Sequence, residues 1–490
     1  MNQRWLVRAL RLLTMAMVLC GCIAQGQAVG GYQTPTPQAT PENGPTPLPT
    51  RGSHVAGATV IYHAQSGDTL QSVAAHFNTT VEEILAENPD VPAEVTTLPP
   101  GYPMRVTDFH LPLSGTPFHL MPDSEVVNSA SAVGFDTREE ILKRPGFLAA
   151  LSSIAYDQER PAWGVVDVVA QRYSLHPRLL LTLLEYQTHA LSSPFPRADA
   201  AIYPMGYRNH RFRGLFRQLM WAAEQINDGY YGWRAGRLSE FELADGLLQR
   251  PDPWQNAGTV GLHMLFAGIY GLEEFNQVVS PDGFYRTYVE LWGDPFEKEI
   301  VLIPGDLHPP DLQLPFVPNR TWSYTGGPHP SWGTSLPNGA VDFAPPAAES
   351  GCVRSLDWIT APADGVIARS GEAFVILDLD GDGDERTGWV LSFFHVAEIG
   401  MIKEGTQVRT GDHLGHPSCE GGRATGTHVH MARLFNGEYV AAEGALPFVL
   451  SGWVVQSGYT AYAGTMVKGS RVVVASDTSD DFSHIRLELP

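Results

Sequence analysis

The apolar residues of this chain change their period part-way along it, and that change limits what its 490 residues can fold into. Between about 115 and 300 the pattern is helical. Pro177 is followed by Leu179, Leu180, Leu183 and Leu184, and Phe212 to Ile226 repeats the same spacing. Beyond about 310, glycines, prolines and short alternating runs take over, which is the period of an antiparallel sheet. A chain this long does not close around one core, and about two to four domains are expected. With 43% hydrophobic and 17% charged residues it has the composition of folded globular domains. A net charge of -21 argues against nucleic acid as a partner, because phosphate recognition needs basic surface.

The N-terminus reads as an export signal. Arg4, Arg8 and Arg11 precede an apolar run from Leu12 to Leu19 that is too short to span a bilayer as a mature helix. The run ends in Leu19-Cys20-Gly21-Cys22, which resembles the lipobox of bacterial lipoproteins. That resemblance implies a lipid on Cys22 and a membrane anchor; plain secretion with cleavage nearby is the alternative. Removing the signal also removes Cys20. Besides Cys22, this leaves Cys352 and Cys419, an even pair that in an oxidising compartment is expected to form one disulfide. Tyr32 to Thr50 holds six prolines and few apolar side chains, so residues 23–57 are expected to be an extended tether.

Residues 58–106 read as one small α+β module. Thr59 to His63 alternates like a strand. Gly67-Asp68-Thr69-Leu70 is expected to open a helix with Asp68 as N-cap and Gln71 three positions on. Thr80 and Glu83 repeat a capping-box spacing, and Met104 to Val106 is a second strand. The segment SGDTLQSVAAHFNTTVEEILAENPDV resembles a LysM domain. The resemblance implies binding to N-acetylglucosamine-containing glycan such as peptidoglycan. In the helical region, HPRLLLTLLEYQT is faintly similar to the glutamate-bearing helix of lysozyme-like lytic transglycosylases, with Glu185 in the place of the acid. Gln187-Thr188 departs from the serine usual there, and a structural or binding role is the preferred reading.

The sheet region carries the residues of hydrolytic zinc chemistry, which uses three protein ligands from His, Asp, Glu or Cys and one open position. His428 and His430 lie two apart, so on a strand both rings face one side. His395 ends another alternating run, Asp342 sits in a third, and His329 follows Gly326-Gly327-Pro328. TGGPH, an aspartate thirteen residues after its histidine, and then CEGG, TGTHVH and LFNGEYV resemble the lysostaphin-type zinc endopeptidases, most closely their beta-lytic branch. The resemblance covers about residues 322–450. It implies zinc held by His329, Asp342 and His430, catalytic roles for His395 and His428, and hydrolysis of cell-wall peptide. The wider family places its first ligand four residues before the aspartate, where this chain has Asn338, and Ala340 stands where glycine is usual. On that pattern a ligand is missing, and the alternative is an inactive envelope factor that binds peptidoglycan and activates another hydrolase. Asp378-Leu379-Asp380-Gly381-Asp382-Gly383-Asp384 copies the start of a calcium-binding EF-hand loop, but Trp389 stands at its twelfth position, and an acidic hairpin tip is the preferred reading.

The expected order is a signal (1–22), a tether (23–57), the LysM-like module (58–106), a mostly α-helical domain (115–300), an all-β antiparallel peptidase domain (310–465) and a C-terminal extension (466–490).

Overall fold

The computed structural model describes residue 48 and residues 55–110, 115–197, 199–347 and 349–488. Cys22, the export signal and most of the tether lie outside the described residues.

In the first module β1 (Ala58–His63) pairs antiparallel with β2 (Pro103–Asp108) around α1 (Leu70–His76) and α2 (Val81–Glu87). Both helices begin with a capping box, Thr69 with Ser72 and Thr80 with Glu83. The cap of α1 is thus Thr69 rather than the expected Asp68. The Asp68 carboxylate is buried behind the helix, where it accepts from the Tyr62 hydroxyl at 2.5 Å and the Gln65 N–H at 2.8 Å.

The middle region comprises α3 (Thr137–Leu142), a hairpin of β3 (Ser152–Ala155) and β4 (Gln158–Pro161), α4 (Ala162–Tyr173), α5 (Pro177–Thr188) and α6 (Leu215–Arg234). A short pair, β5 (Phe241–Glu242) and β6 (Leu248–Gln249), precedes α7 (Ala257–Ala267), α8 (Leu272–Val278) and α9 (Phe284–Trp292). Pro177 sits at the start of α5 as its sequence predicts, and the His176 ring accepts from the Arg178 N–H. Helices α6 and α7 approach closely because Gly229 and Gly261 face the contact; a Cβ on Gly229 would lie 2.8 Å from the Val260 carbonyl oxygen.

The sheet region supplies β7 (Thr321–Pro330), β8 (Asn338–Ala344), β9 (Ile359–Thr360), β10 (Gly365–Gly371), β11 (Phe374–Asp378), β12 (Trp389–Phe394), β13 (Gln407–Val408) and β14 (His413–Gly415). It continues with β15 (Val429–Phe435), β16 (Glu438–Tyr439), β17 (Val449–Leu450), β18 (Trp453–Ser457), β19 (Gly464–Lys468), β20 (Arg471–Val474) and β21 (His484–Arg486). The large sheet runs β13-β10-β11-β12-β15-β8-β7-β21, with β16 on β15, and β17 to β20 form a second sheet. Part of the segment read as a C-terminal extension builds structure: β21 is hydrogen-bonded to β7.

Both faces of the large sheet are buried. Val375, Leu377, Leu391, Phe393, Val429 and Met431 enter one core with Trp453 and Met466 of the second sheet. Their alternates Phe374, Ile376, Val390, Phe394, Ala432 and Leu434 join the core of the helices. Apolar residues at both parities of β11, β12 and β15 thus make the helical region a layer on the sheet, and Thr46–Pro490 forms one compact unit. Arg234, at the end of α6, binds all three regions. Its buried guanidinium donates to the Ser66 carbonyl of the first module, to Asp123 at 2.9 Å and to Glu438 of β16 at 2.9 Å. Two carboxylates beside a buried cation offset its desolvation.

Candidate metal centre

Strand register assembles the centre. In the antiparallel ladder Asp342 of β8 stands opposite His430 of β15, so their side chains share a face. Ala340 stands opposite His329 of β7, and Phe394, the last residue of β12, opposite His430. This is the face on which the helical layer packs. Close packing of β7 on β8 needs glycine at Gly326, where a Cβ would meet the Asp342 carboxylate at 2.5 Å.

His329, Asp342 and His430 each turn one donor atom to a common point. Asp342 Oδ1 lies 3.3 Å from His329 Nε2 and 3.4 Å from His430 Nδ1, and those two nitrogens are 3.0 Å apart. The other nitrogen of each ring is engaged. His329 Nδ1 is 2.7 Å from the Gly327 carbonyl oxygen, and His430 Nε2 is 3.1 Å from that of Ser331. A carbonyl only accepts, so each of these nitrogens carries the proton and leaves the other bare. Two nitrogen lone pairs and a carboxylate oxygen therefore converge in a buried place, and Asp342 Oδ1 makes no hydrogen bond of good geometry. Three acceptors without a donor require a cation or an added proton between them. Burial opposes charge on His329, but the adjacent Asp342 outweighs it and raises the ring's pKa. Burial likewise opposes charge on Asp342, and His329 and His430 hold its carboxyl well below the usual range. Two imidazoles and one carboxylate are a zinc donor set with room for a further ligand, so these residues fit that metal.

His395 and His428 repeat the device. Their Nδ1 atoms each lie 2.8 Å from a backbone carbonyl oxygen, of Glu420 and Gly426 respectively, which leaves both Nε2 atoms bare. The two rings are 4.5 Å apart, and His428 Nε2 is 3.9 Å from Asp342 Oδ1. His395 follows β12 with φ +62°, a left-handed backbone uncommon for histidine. Burial, followed by the neighbouring His428, lowers its pKa to about 4, so it is neutral at pH 7. Cys352 and Cys419 are joined as a disulfide, at the root of the loop that leads to His428.

Other expected candidates stand elsewhere. Asn338 is paired with Pro330, one register step from His329. Glu185 is buried in α5, where its carboxylate accepts from the N–H groups of Leu191 at 2.7 Å and Ser192 at 3.1 Å and from the Ser192 hydroxyl. A carboxylate so engaged braces a loop. The acidic segment is the turn between β11 and β12, with Asp378, Asp380 and Asp382 close together. Sequence reading missed Tyr462, whose ring stacks on His329 at 4.2 Å and whose carbonyl accepts from the Gly327 N–H. It lies 133 positions from His329 (462 minus 329), in a turn between two strands, without a local motif.

A compact His/Asp/His donor set with two spare imidazoles beside it on an antiparallel sheet can hold a metal ion and offers bases next to it. Comparison with known proteins narrows the class. The LysM domain model matches residues 62–106, and the model of the LasA N-terminal domain matches residues 119–305. The helical region is thus similar to that domain, where sequence reading had seen only a faint lysozyme likeness. Protease LasA of Pseudomonas aeruginosa is 28% identical over 303 residues, which are 56% of this chain and 66% of the relative. Beta-lytic metalloendopeptidase of Achromobacter lyticus is 25% identical over 159 residues, 31% of this chain and 39% of the relative. Among solved structures, the M23 metalloprotease pseudoalterin, from the deep sea, is 24% identical with a TM-score of 0.29, over 34% of this chain and 94% of that one. The chain is thus similar to the LysM domain, to the LasA N-terminal domain and, in sequence, to peptidases of the LasA and beta-lytic kind. It spans 66% of the length of the LasA proteases that it matches.

Proposed function

We propose that this chain is an exported, zinc-dependent endopeptidase that hydrolyses the peptide part of bacterial peptidoglycan, with its LysM module holding the glycan. The observation that carries this reading is the convergence of three acceptor atoms, from His329, Asp342 and His430, with two further imidazoles beside them. Zinc bound there supplies Lewis acidity, which polarises a carbonyl and lowers the pKa of water.

The side chains have separable parts. His329 and His430 present bare nitrogens because Gly327 and Ser331 fix their tautomers. Asp342 offsets positive charge at the same point. His395 and His428, bare at Nε2, accept a proton from the attacking water and return it to the leaving amine. Once charged, either ring donates a hydrogen bond to the developing oxyanion. The inactive-factor alternative rested on Asn338 in a ligand's place, and His329, 3.3 Å from Asp342, supplies a histidine there. The relation to peptidases in sequence supports the same reading. No helix among the described residues is long and apolar enough to cross a membrane. Attachment through a lipid on Cys22 belongs to the proposal, and intact-mass measurement of the mature N-terminus checks it.

The functional test is digestion of purified peptidoglycan by the zinc-loaded protein. New amino groups without new reducing ends are expected, together with their loss in His428→Ala. Reducing ends alone would replace the peptidase by a glycosidase, and no product from a zinc-loaded, folded protein would favour the envelope factor.

A further inference from the structure

The Ser331 carbonyl that fixes the tautomer of His430 belongs to a loop, residues 331–337, with few ties to its own sheet. At its base, Ser331 N–H donates to the Pro337 carbonyl at 3.0 Å and Ser331 Oγ to the same oxygen at 3.2 Å. Its other hydrogen-bonded anchors come from the helical layer. Leu336 N–H donates to Asp228 Oδ1 at 2.9 Å, and Glu224, one turn earlier on α6, is hydrogen-bonded to Thr334. Trp332 Nε1–H donates to the Tyr156 hydroxyl at 3.2 Å, from the β3–β4 hairpin. The Trp332 ring packs on Phe374 at 5.3 Å and on Phe394 at 5.1 Å, and Phe394 stands beside both His395 and His430. Loops that meet a ligand-bearing strand with so little local structure take their position from whatever clamps them.

We propose that Asp228 of α6 is a positioning residue for the metal ligand His430, acting through the 331–337 loop. This inference rests on the metal-centre reading. Two hydrogen bonds connect the two residues: Asp228 holds Leu336 N–H, and the far end of the same loop offers the Ser331 carbonyl to His430 Nε2–H. Release of the loop frees His430 to rotate or to change tautomer, which turns a proton toward Asp342 and His329 in place of a lone pair. The helical layer, which contributes no atom to the donor set, thereby contributes to its affinity. Asparagine keeps an oxygen that accepts from Leu336, so charge is not what the position needs.

The test is chelator competition for zinc on the full chain, with the melting temperature of the metal-free protein measured alongside. Asp228→Leu is expected to weaken zinc binding about tenfold, the lower edge of the range for residues that orient a ligand from behind. Asp228→Asn is expected to bind as tightly as the wild type. Tyr156→Phe, which removes only the acceptor of Trp332, is expected to weaken zinc two- to threefold, roughly a quarter of the former effect, and it carries the test if the leucine variant does not fold. Wild-type affinity in both folded Asp228→Leu and Tyr156→Phe would overturn the inference, as would equal losses in Asp228→Leu and Asp228→Asn. A wild-type protein that takes up no zinc would instead overturn the metal-centre reading, and the inference with it.

Discussion

Among the described residues two places gather three metal-ligating side chains: His329, Asp342 and His430 on the sheet, and Asp378, Asp380 and Asp382 in the β11–β12 turn. Their hydrogen bonds separate them. In the turn the carboxylates are already occupied. Asp378 accepts from the N–H groups of Asp380 at 3.1 Å and Gly383 at 2.8 Å, Asp380 from that of Asp382, and Asp382 from Asp384 N–H and the Thr387 hydroxyl. Asp380 and Asp382 are exposed to water. On the sheet, backbone carbonyls occupy the outer nitrogens of the rings, and the inner atoms face one another with nothing to share. One cluster satisfies itself and the other is complete only with a cation. The lesson is that a donor set is recognised by its unsatisfied atoms, more than by the count of acids and histidines.

The ionisation of the aspartates shows the same contrast. Asp342 is held well below the usual carboxylate range despite burial, because His329 and His430 surround it. Burial pushes Asp378 up to about 6, with hydrogen bonding to and repulsion from Asp380 adding to it. The first site is built to keep a negative charge and the second only tolerates one.

The largest effect that would break the contrast is at the ligands. His329→Ala and Asp342→Ala are expected to lower zinc affinity by more than about 100-fold, beyond the range for residues that only orient ligands, and to abolish peptide release. Metal analysis and a wall-digestion assay check this, and near-normal zinc in His329→Ala would reassign the ligand. Glu185→Ala probes a carboxylate that braces a loop. Loss of its hydrogen bonds to Leu191 and Ser192 is expected to destabilise the protein by about 1–3 kcal/mol in chemical unfolding, with zinc content unchanged. A fall in peptide release at full stability would give Glu185 a part in the chemistry.

The turn supplies a pH test. Between the unfolded value of about 4 and the folded value of about 6, the folded protein holds more protons on Asp378 than the unfolded chain does. Stability from this group is therefore present at low pH and is lost as pH rises through that window. The melting temperature of the wild type, relative to Asp378→Asn, is expected to fall between pH 4 and pH 6.5. A relative rise would show that Asp378 is stabilised as the anion, in the manner of Asp342. The smallest effect belongs to Asp380→Asn, which is expected to leave zinc content and peptide release as they were. Added calcium is expected to leave the melting temperature unmoved, and an upward shift that this substitution removes would make the turn a second cation site.

Much of the centre was legible in the sequence, because its motifs are local. His428 and His430 two apart on a strand must share a face, and a histidine after two glycines and a proline reads as lying in a loop close to Asp342, whereas it lies within β7. The capping box at Thr80, the start of α5 at Pro177 and the strands β1 and β2 were legible for the same reason. What was hidden depends on register and on packing between distant segments. The carbonyls that set four imidazole tautomers carry no side-chain signature. Tyr462 reaches His329 only through the turn after β18. The runs that form β11 and β12 read as alternating, yet both of their faces are apolar and buried, and the second cover is the helical region. That cover makes α6 a neighbour of the metal centre.

The most direct test is the metal content of purified full-length protein, after dialysis against trace zinc, for wild type, Asp342→Ala and Asp380→Asn. We predict one zinc per chain in the wild type and in Asp380→Asn, and none in Asp342→Ala. Zinc retained by Asp342→Ala but lost from Asp380→Asn would place the metal in the acidic turn and contradict the account.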